Sequence, residues 1–144
     1  MTLKNNDSDQ LIETMTSLIL IYTHCGRYTV LSIDLMIDQV KDPFLRQGLL
    51  MVSDGCGAEY IQETLNAQVN PKDVYKNLVL EGLCMISKGL GREMQEKFKT
   101  YLSTEDQVKL EVTIKGVLDD WKDRSETIEG GNQVIIEHLK RHEK

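Results

Sequence analysis

A chain of 144 residues, 40% hydrophobic and 28% charged, has the length and balance of one soluble domain with a core of its own. Its formal net charge of −6 lacks the basic footprint that nucleic-acid binding requires, and it disfavours an anionic membrane surface. The most apolar run, LILIY at residues 18–22, is far shorter than the roughly 20 residues of a membrane span, and no basic-then-apolar leader opens the chain.

Cys25, Cys56 and Cys84 are far apart and form no C-x-x-C pair, which fits reduced thiols. His24, His138 and His142 make no zinc pattern with them, so no metal and no cofactor is expected.

In chain order, residues 1–8 are expected to be a flexible start, with Asp7 or Ser8 as the cap of a first helix ending near Cys25. Leu11, Met15, Leu18, Ile19 and Tyr22 form its apolar face, and Gly26 ends or bends it. Val30, Ile33, Met36, Ile37 and Val40 recur at helical spacing and predict a second helix over 29–39. Asp42 before Pro43 is a cap followed by a favoured first residue, so a third helix spans 43–53 and stops at Asp54-Gly55. A fourth is predicted over 58–69.

Asn70-Pro71 breaks the chain, with Asn70 capping a fifth helix that carries Val74, Leu78, Val79, Leu83 and Ile86 to about Lys88. Gly89 and Gly91 bracket a turn, and a sixth helix is predicted over 92–102. Ser103 or Thr104 caps the next, with Glu105 and Asp106 where the helix dipole favours acids. Leu110, Ile114, Val117, Leu118 and Trp121 make its apolar stripe. Residues 119–129 are read as a solvated charged segment, Gly130-Gly131 as a break, and Asn132 as the cap of a last helix. The class is all-α: a compact bundle of seven or eight helices with an added C-terminal helical arm.

The run DPFLRQGL at 42–49, followed by the VSDG turn at 52–55 and the helix EYIQETL at 59–65, resembles the cytoplasmic loop of the MotA/PomA flagellar motor stator family, relatives of ExbB and TolQ. LIET at 11–14, LVLEGLCMI at 78–86 and GREMQEKF at 91–98 with Tyr101-Leu102 are similar to further stretches of that family. The likeness covers roughly residues 9–102 and divides the chain into a flexible 1–8, a stator-like module at 9–102 and additional helices at 103–144. The family's membrane helices have no counterpart: VNPK at 69–72 stands where one pair would be. Ion passage is therefore not implied.

What the resemblance does imply is a non-enzymatic protein-interaction module of motility or its regulation, meeting a rotor or stator component in the cytoplasm or at the inner membrane's edge. Arg27 and Asp34 fall where the family carries charged residues, and Arg46 is the basic residue of DPFLRQGL. Leu35 and Ile37 replace acids, which dilutes that pattern. Trp121 lies beyond the resemblance; its stripe is either core or a helix offered to a partner. Arg27, Asp34, Arg46 and Trp121 are the candidate partner-binding residues. The alternative is a homo-oligomer or scaffold joined through apolar helix faces.

Catalytic readings are weaker. His24 and Cys25 are neighbours whose side chains point about 100° apart on a helix, so they form no dyad. Asp119, Asp120, Asp123 and Glu126 lack a calcium loop's central glycine, and neither Gly55-Cys56-Gly57 nor Gly89-Leu90-Gly91 leads into a phosphate-binding G-K-S/T.

Overall fold

The computed structural model describes residues 5–142, and within them every regular element is helical. The α-helices are α1 (Asn5–Tyr28), α2 (Pro43–Ser53), α3 (Ala58–Asn66), α4 (Val74–Lys88), α5 (Gly91–Lys99), α6 (Thr104–Arg124) and α7 (Ile128–His142). Two 3-10 segments, Val30–Leu35 and Ile37–Gln39, join α1 to α2.

Helix α1 is the spine. Between residues 11 and 21 only Glu13 is not buried, so the helix is enclosed on all sides rather than on one face. Three of its buried hydroxyls bond within the helix: Thr14, Thr16 and Ser17 donate to the carbonyls of Gln10, Ile12 and Glu13 one turn back, at 2.8, 2.7 and 3.0 Å. That local satisfaction lets polar residues line a core without an orphaned donor. Helices α6 and α7 pack on one side of α1 and on each other; α4 and α5 pack against it elsewhere, with α2 and α3 behind α4. Met15, Leu18, Leu20, Ile21 and Phe98 are fully buried in the shared core. Each such side chain contributes roughly 1.5–3 kcal/mol on burial.

Several boundaries follow the sequence closely. Asp42 accepts from the Phe44 N–H at 3.0 Å and caps α2 ahead of Pro43. Ser103 accepts from the Asp106 N–H at 3.2 Å and caps α6. Gly89, with φ 74°, closes α4 in the left-handed conformation that glycine adopts freely.

Other boundaries differ. Residues 1–4 of the expected flexible start lie outside the described residues; α1 is already helical at Asn5, so Ser8 sits inside it, buried, rather than at a cap. Gly26 does not end α1. The helix continues to Tyr28, whose hydroxyl donates to the Ser125 carbonyl beyond α6, and this tie helps offset the glycine's cost of about 1 kcal/mol. The helix predicted over 29–39 is instead two 3-10 segments. Thr29 breaks the path at φ 76°, and the Ser32 hydroxyl donates back to the Thr29 carbonyl at 2.9 Å. A β-branched residue is strained in that conformation. Helix α3 stops at Asn66. Asn70 and Pro71 form a turn, and Asp73 is the cap of α4, accepting from the Lys76 N–H at 3.0 Å. Helix α5 begins at Gly91 and ends at Lys99.

The charged stretch after Trp121 extends α6 to Arg124, and Arg124 clasps Glu137 of α7 with two hydrogen bonds of 2.8 and 3.1 Å. Gly130 and Gly131 are not a break but lie inside α7, and Asn132 is a buried residue within that helix. Both glycines are needed for closeness. A Cβ on Gly130 would lie 2.0 Å from the Arg124 carbonyl oxygen, and one on Gly131 would lie 2.4 Å from His24 Cε1. Gly116 in α6 has open space around its missing Cβ.

These environments set a paired prediction. Gly116→Ala should stabilise the fold by about 1 kcal/mol through helix propensity alone. Gly130→Ala, the same change in another helix, should destabilise it by about 1–3 kcal/mol because a backbone carbonyl stands in the way. Urea denaturation of the two variants beside the parent measures both.

Candidate partner-binding surface

The 3-10 segment Val30–Leu35 turns one edge outward. Leu31 is 64% and Leu35 63% exposed, and Asp34 between them is exposed as well. Residues three apart eclipse in a 3-10 helix, so Leu31 and Asp34 stack on one line. Ile33 and Ser32 face inward and anchor the segment. Asp34 is not floating: the Ser53 hydroxyl at the end of α2 donates to its carboxylate at 2.6 Å. Arg46, exposed on α2, donates to the Asp38 carbonyl at 3.2 Å and so straps α2 to the second 3-10 segment. Asp34, with the two bare leucines on its own segment, is thus tied to the end of α2, and Arg46 joins the start of α2 to the second 3-10 segment.

Arg27 and Trp121 come together elsewhere, where the end of α1 meets α6. The Arg27 guanidinium carbon stands 5.4 Å from the Tyr28 ring centroid and 6.0 Å from that of Trp121, within cation–π range. It also donates to the Ser125 hydroxyl at 3.2 Å. Arg27 is exposed, but Trp121 is only 5% exposed. Leu110 and Ile114 of the same stripe are buried, while Val117 and Leu118 are partly so. The stripe is core, and Trp121 is a buttress beneath Arg27 rather than a surface side chain.

Beneath that buttress lies a buried polar junction that the sequence did not point to. The Trp121 indole N–H donates to His24 Nδ1 at 3.0 Å. An indole nitrogen only donates, so His24 Nδ1 is the acceptor and the ring's proton sits on Nε2. His24 Nε2 and Asn132 Oδ1 are both buried, and the Asn132 side chain is near enough to favour a protonated ring. Asn132 Nδ2 donates to the Ser32 carbonyl at 3.5 Å, linking the junction to the 3-10 segment. Burial pushes the His24 pKa below its ordinary value, against the pull of Asn132, and the nearby Arg27 charge adds to the lowering. The signal for this junction was present only as a histidine, an asparagine beside two glycines, and a tryptophan, with nothing to say that they meet.

His24 and Cys25 face different partners. The Cys25 thiol lies 3.9 Å from the Ser32 hydroxyl, and burial raises its pKa to about 11. Such a thiol is a poor nucleophile. His138 of α7 faces the Glu13 carbonyl at 3.1 Å and its carboxylate at 2.8 Å; burial lowers its pKa to about 4 even though the Glu13 carbonyl favours the proton.

On the opposite side of the spine, a cleft of about 560 Å³ opens between α3, α4 and the end of α5. Across it Tyr101 donates to Glu81 at 2.7 Å, and Lys97 stands 3.6 Å from the same carboxylate. Burial and Glu81 raise the Tyr101 pKa, and burial raises that of Cys84. The cleft's carboxylate is already held by neighbours, and its thiol is kept protonated.

No family model, curated protein or solved structure matches this chain. Among the described residues no helix is long and apolar enough to cross a membrane, and no group of three or more His, Cys, Asp or Glu is placed to hold a metal.

The stacked pair of Arg27 and Trp121 should show unequal costs. Trp121→Phe removes the indole donor to His24 Nδ1 and should cost about 1–3 kcal/mol of stability. Arg27→Ala, which removes an exposed guanidinium, should cost under about 1 kcal/mol. Chemical denaturation distinguishes the two.

Proposed function

We propose that the chain is a non-enzymatic protein-interaction module akin to the cytoplasmic part of a flagellar stator subunit. On this reading it acts in the cytoplasm, in motility or its regulation, and grips a rotor or stator component. The observation that carries the interaction role is the outward edge of the first 3-10 segment, where two exposed leucines flank the exposed Asp34. A few bare apolar side chains rimmed by charge are the usual composition of a protein-binding patch.

The motility setting rests on the resemblance alone. The two main stretches of that resemblance form one packed unit. A Cβ on Gly48 of DPFLRQGL would lie 2.2 Å from Leu83 Cδ1 of LVLEGL, so the two motifs touch where glycine leaves room. Phe44, Leu45, Leu49, Leu78, Val79 and Leu80 are buried around that contact. Most matched residues therefore carry the fold, and partner contact falls to Arg46 and to the charged positions Arg27 and Asp34.

A second reading, self-assembly, draws on α6. Val108 and Val112, one turn apart, are 56% and 67% exposed. Light scattering at tens of micromolar separates the readings: a monomer disfavours self-assembly.

The binding test is capture of rotor and stator components by the full chain at low salt, where charge pairing is least screened. Binding is expected, and Asp34→Lys or Leu31→Ser should weaken it about tenfold, or ~1.4 kcal/mol. Absence of binding at low salt would dismiss the motor setting. Variants that bind like the parent would dismiss this surface.

A further inference from the structure

The His24 junction has a property that neither packing nor partner binding requires. Its imidazole sits where three helices meet: α1 supplies the ring, α6 the indole of Trp121, and α7 Gly131 and Asn132. His24 is 1% exposed. Its Nδ1 is committed as an acceptor, so a second proton would have to sit on the nitrogen that faces another N–H. Two donors cannot share that 3.0 Å contact. The backbone of Gly131 crowds the ring so closely that a Cβ there would lie 2.4 Å from His24 Cε1, which leaves the imidazole little freedom to swing away on that side.

The charged groups around His24 give the added proton no counter-ion. On its own helix Arg27 brings a like charge and Tyr28 a neutral ring at 5.0 Å between centroids. From α6 comes the uncharged Trp121, and from α7 the uncharged Asn132. Among the described contacts no carboxylate faces this histidine. His138, the other buried histidine between α1 and α7, differs in this respect, since Glu13 stands 2.8 Å from it, with Arg141 of its own helix beside it and Glu137 and Asp120 lining the groove it shares with α6.

We propose that His24 is a proton-sensitive latch: when Nδ1 takes up a proton from solvent, the Trp121 indole loses its acceptor and the α6–α7 pair loosens from the end of α1. Helices α6 and α7 pack mainly on α1, on each other and, through α7, on the first 3-10 segment, so they can loosen at the end of α1 while the α2–α4 side keeps its own contacts. The latch is independent of the partner proposed above. Its sign follows from the lowered pKa. A histidine held neutral by burial contributes its stabilisation fully above its unfolded value near 6.5, and the contribution is lost as pH falls below that value toward the folded one.

The experiment follows the protein's single tryptophan and its amide exchange as pH is lowered from about 7.5 to about 5, around the ordinary histidine range. The Trp121 emission should shift to the red. Exchange in α6 and α7, corrected for intrinsic rates, should rise by up to about tenfold per pH unit, the limit for one proton, while α2–α4 keep their protection. His24→Gln, whose side-chain oxygen can accept from the indole without titrating, should abolish the emission shift and cut the exchange response in α6 and α7 to the part that His138, buried with a lowered pKa, brings to the α1–α7 contact. A flat emission in the parent, an unchanged response in His24→Gln, or equal loss of protection in α2–α4 would overturn the latch. Should that variant not fold, nitrogen NMR of the parent at neutral pH decides. A proton on His24 Nε2 is expected, and a proton on Nδ1 would overturn the latch.

Discussion

Everything in this fold depends on one helix being dry on all sides. Between residues 11 and 21 α1 gives its aliphatic side chains to two halves of the molecule at once, α6 and α7 on one side and the α2–α5 group on the other. A central helix usually reads as apolar all round. Here Thr14, Thr16 and Ser17 share the interior, and their hydrogen bonds to carbonyls one turn back are what make that tolerable.

The same spine sets the polar junction at its far end. His24 is held by Trp121 from α6 and crowded by Gly131 from α7, while Tyr28 and Arg27 reach Ser125 just past α6. The end of α1 is thus fixed by hydrogen bonds where its middle is fixed by burial. Directly after it, Thr29 forces the chain to turn at φ 76°, and the 3-10 segment that follows leaves Leu31 and Leu35 in solvent. Backbone strain and exposed leucines lie within a few residues of each other, at the position where the fold has least to gain from them. That proximity is why the partner-binding proposal centres there.

Much of the helical outline was legible because its signals are local. Asp42-Pro43 and Ser103 announce helix starts through a side-chain oxygen meeting a nearby N–H, and Gly89 announces an end through its left-handed backbone. What was not legible is long-range. Gly130-Gly131 looks like a break by propensity, yet the missing side chains are what let α7 start against the Arg124 carbonyl and the His24 ring. Gly26 looks like a stop, but Tyr28 and Arg27 are anchored across to Ser125. For the candidate surface, Arg27, Asp34 and Arg46 were legible as charged positions and are exposed, whereas Trp121 was open to two readings and lies in the core. The His24–Trp121 bond joins residues 97 apart in sequence, and no spacing rule reaches that far.

The role of α1 as the shared spine is tested most directly by native-state hydrogen exchange at neutral pH. Amides of residues 14–21 should be the slowest in the protein, opening only with global unfolding. Slower exchange in α4 or in α7 than in these residues would contradict it, because the two halves would then not be organised around α1.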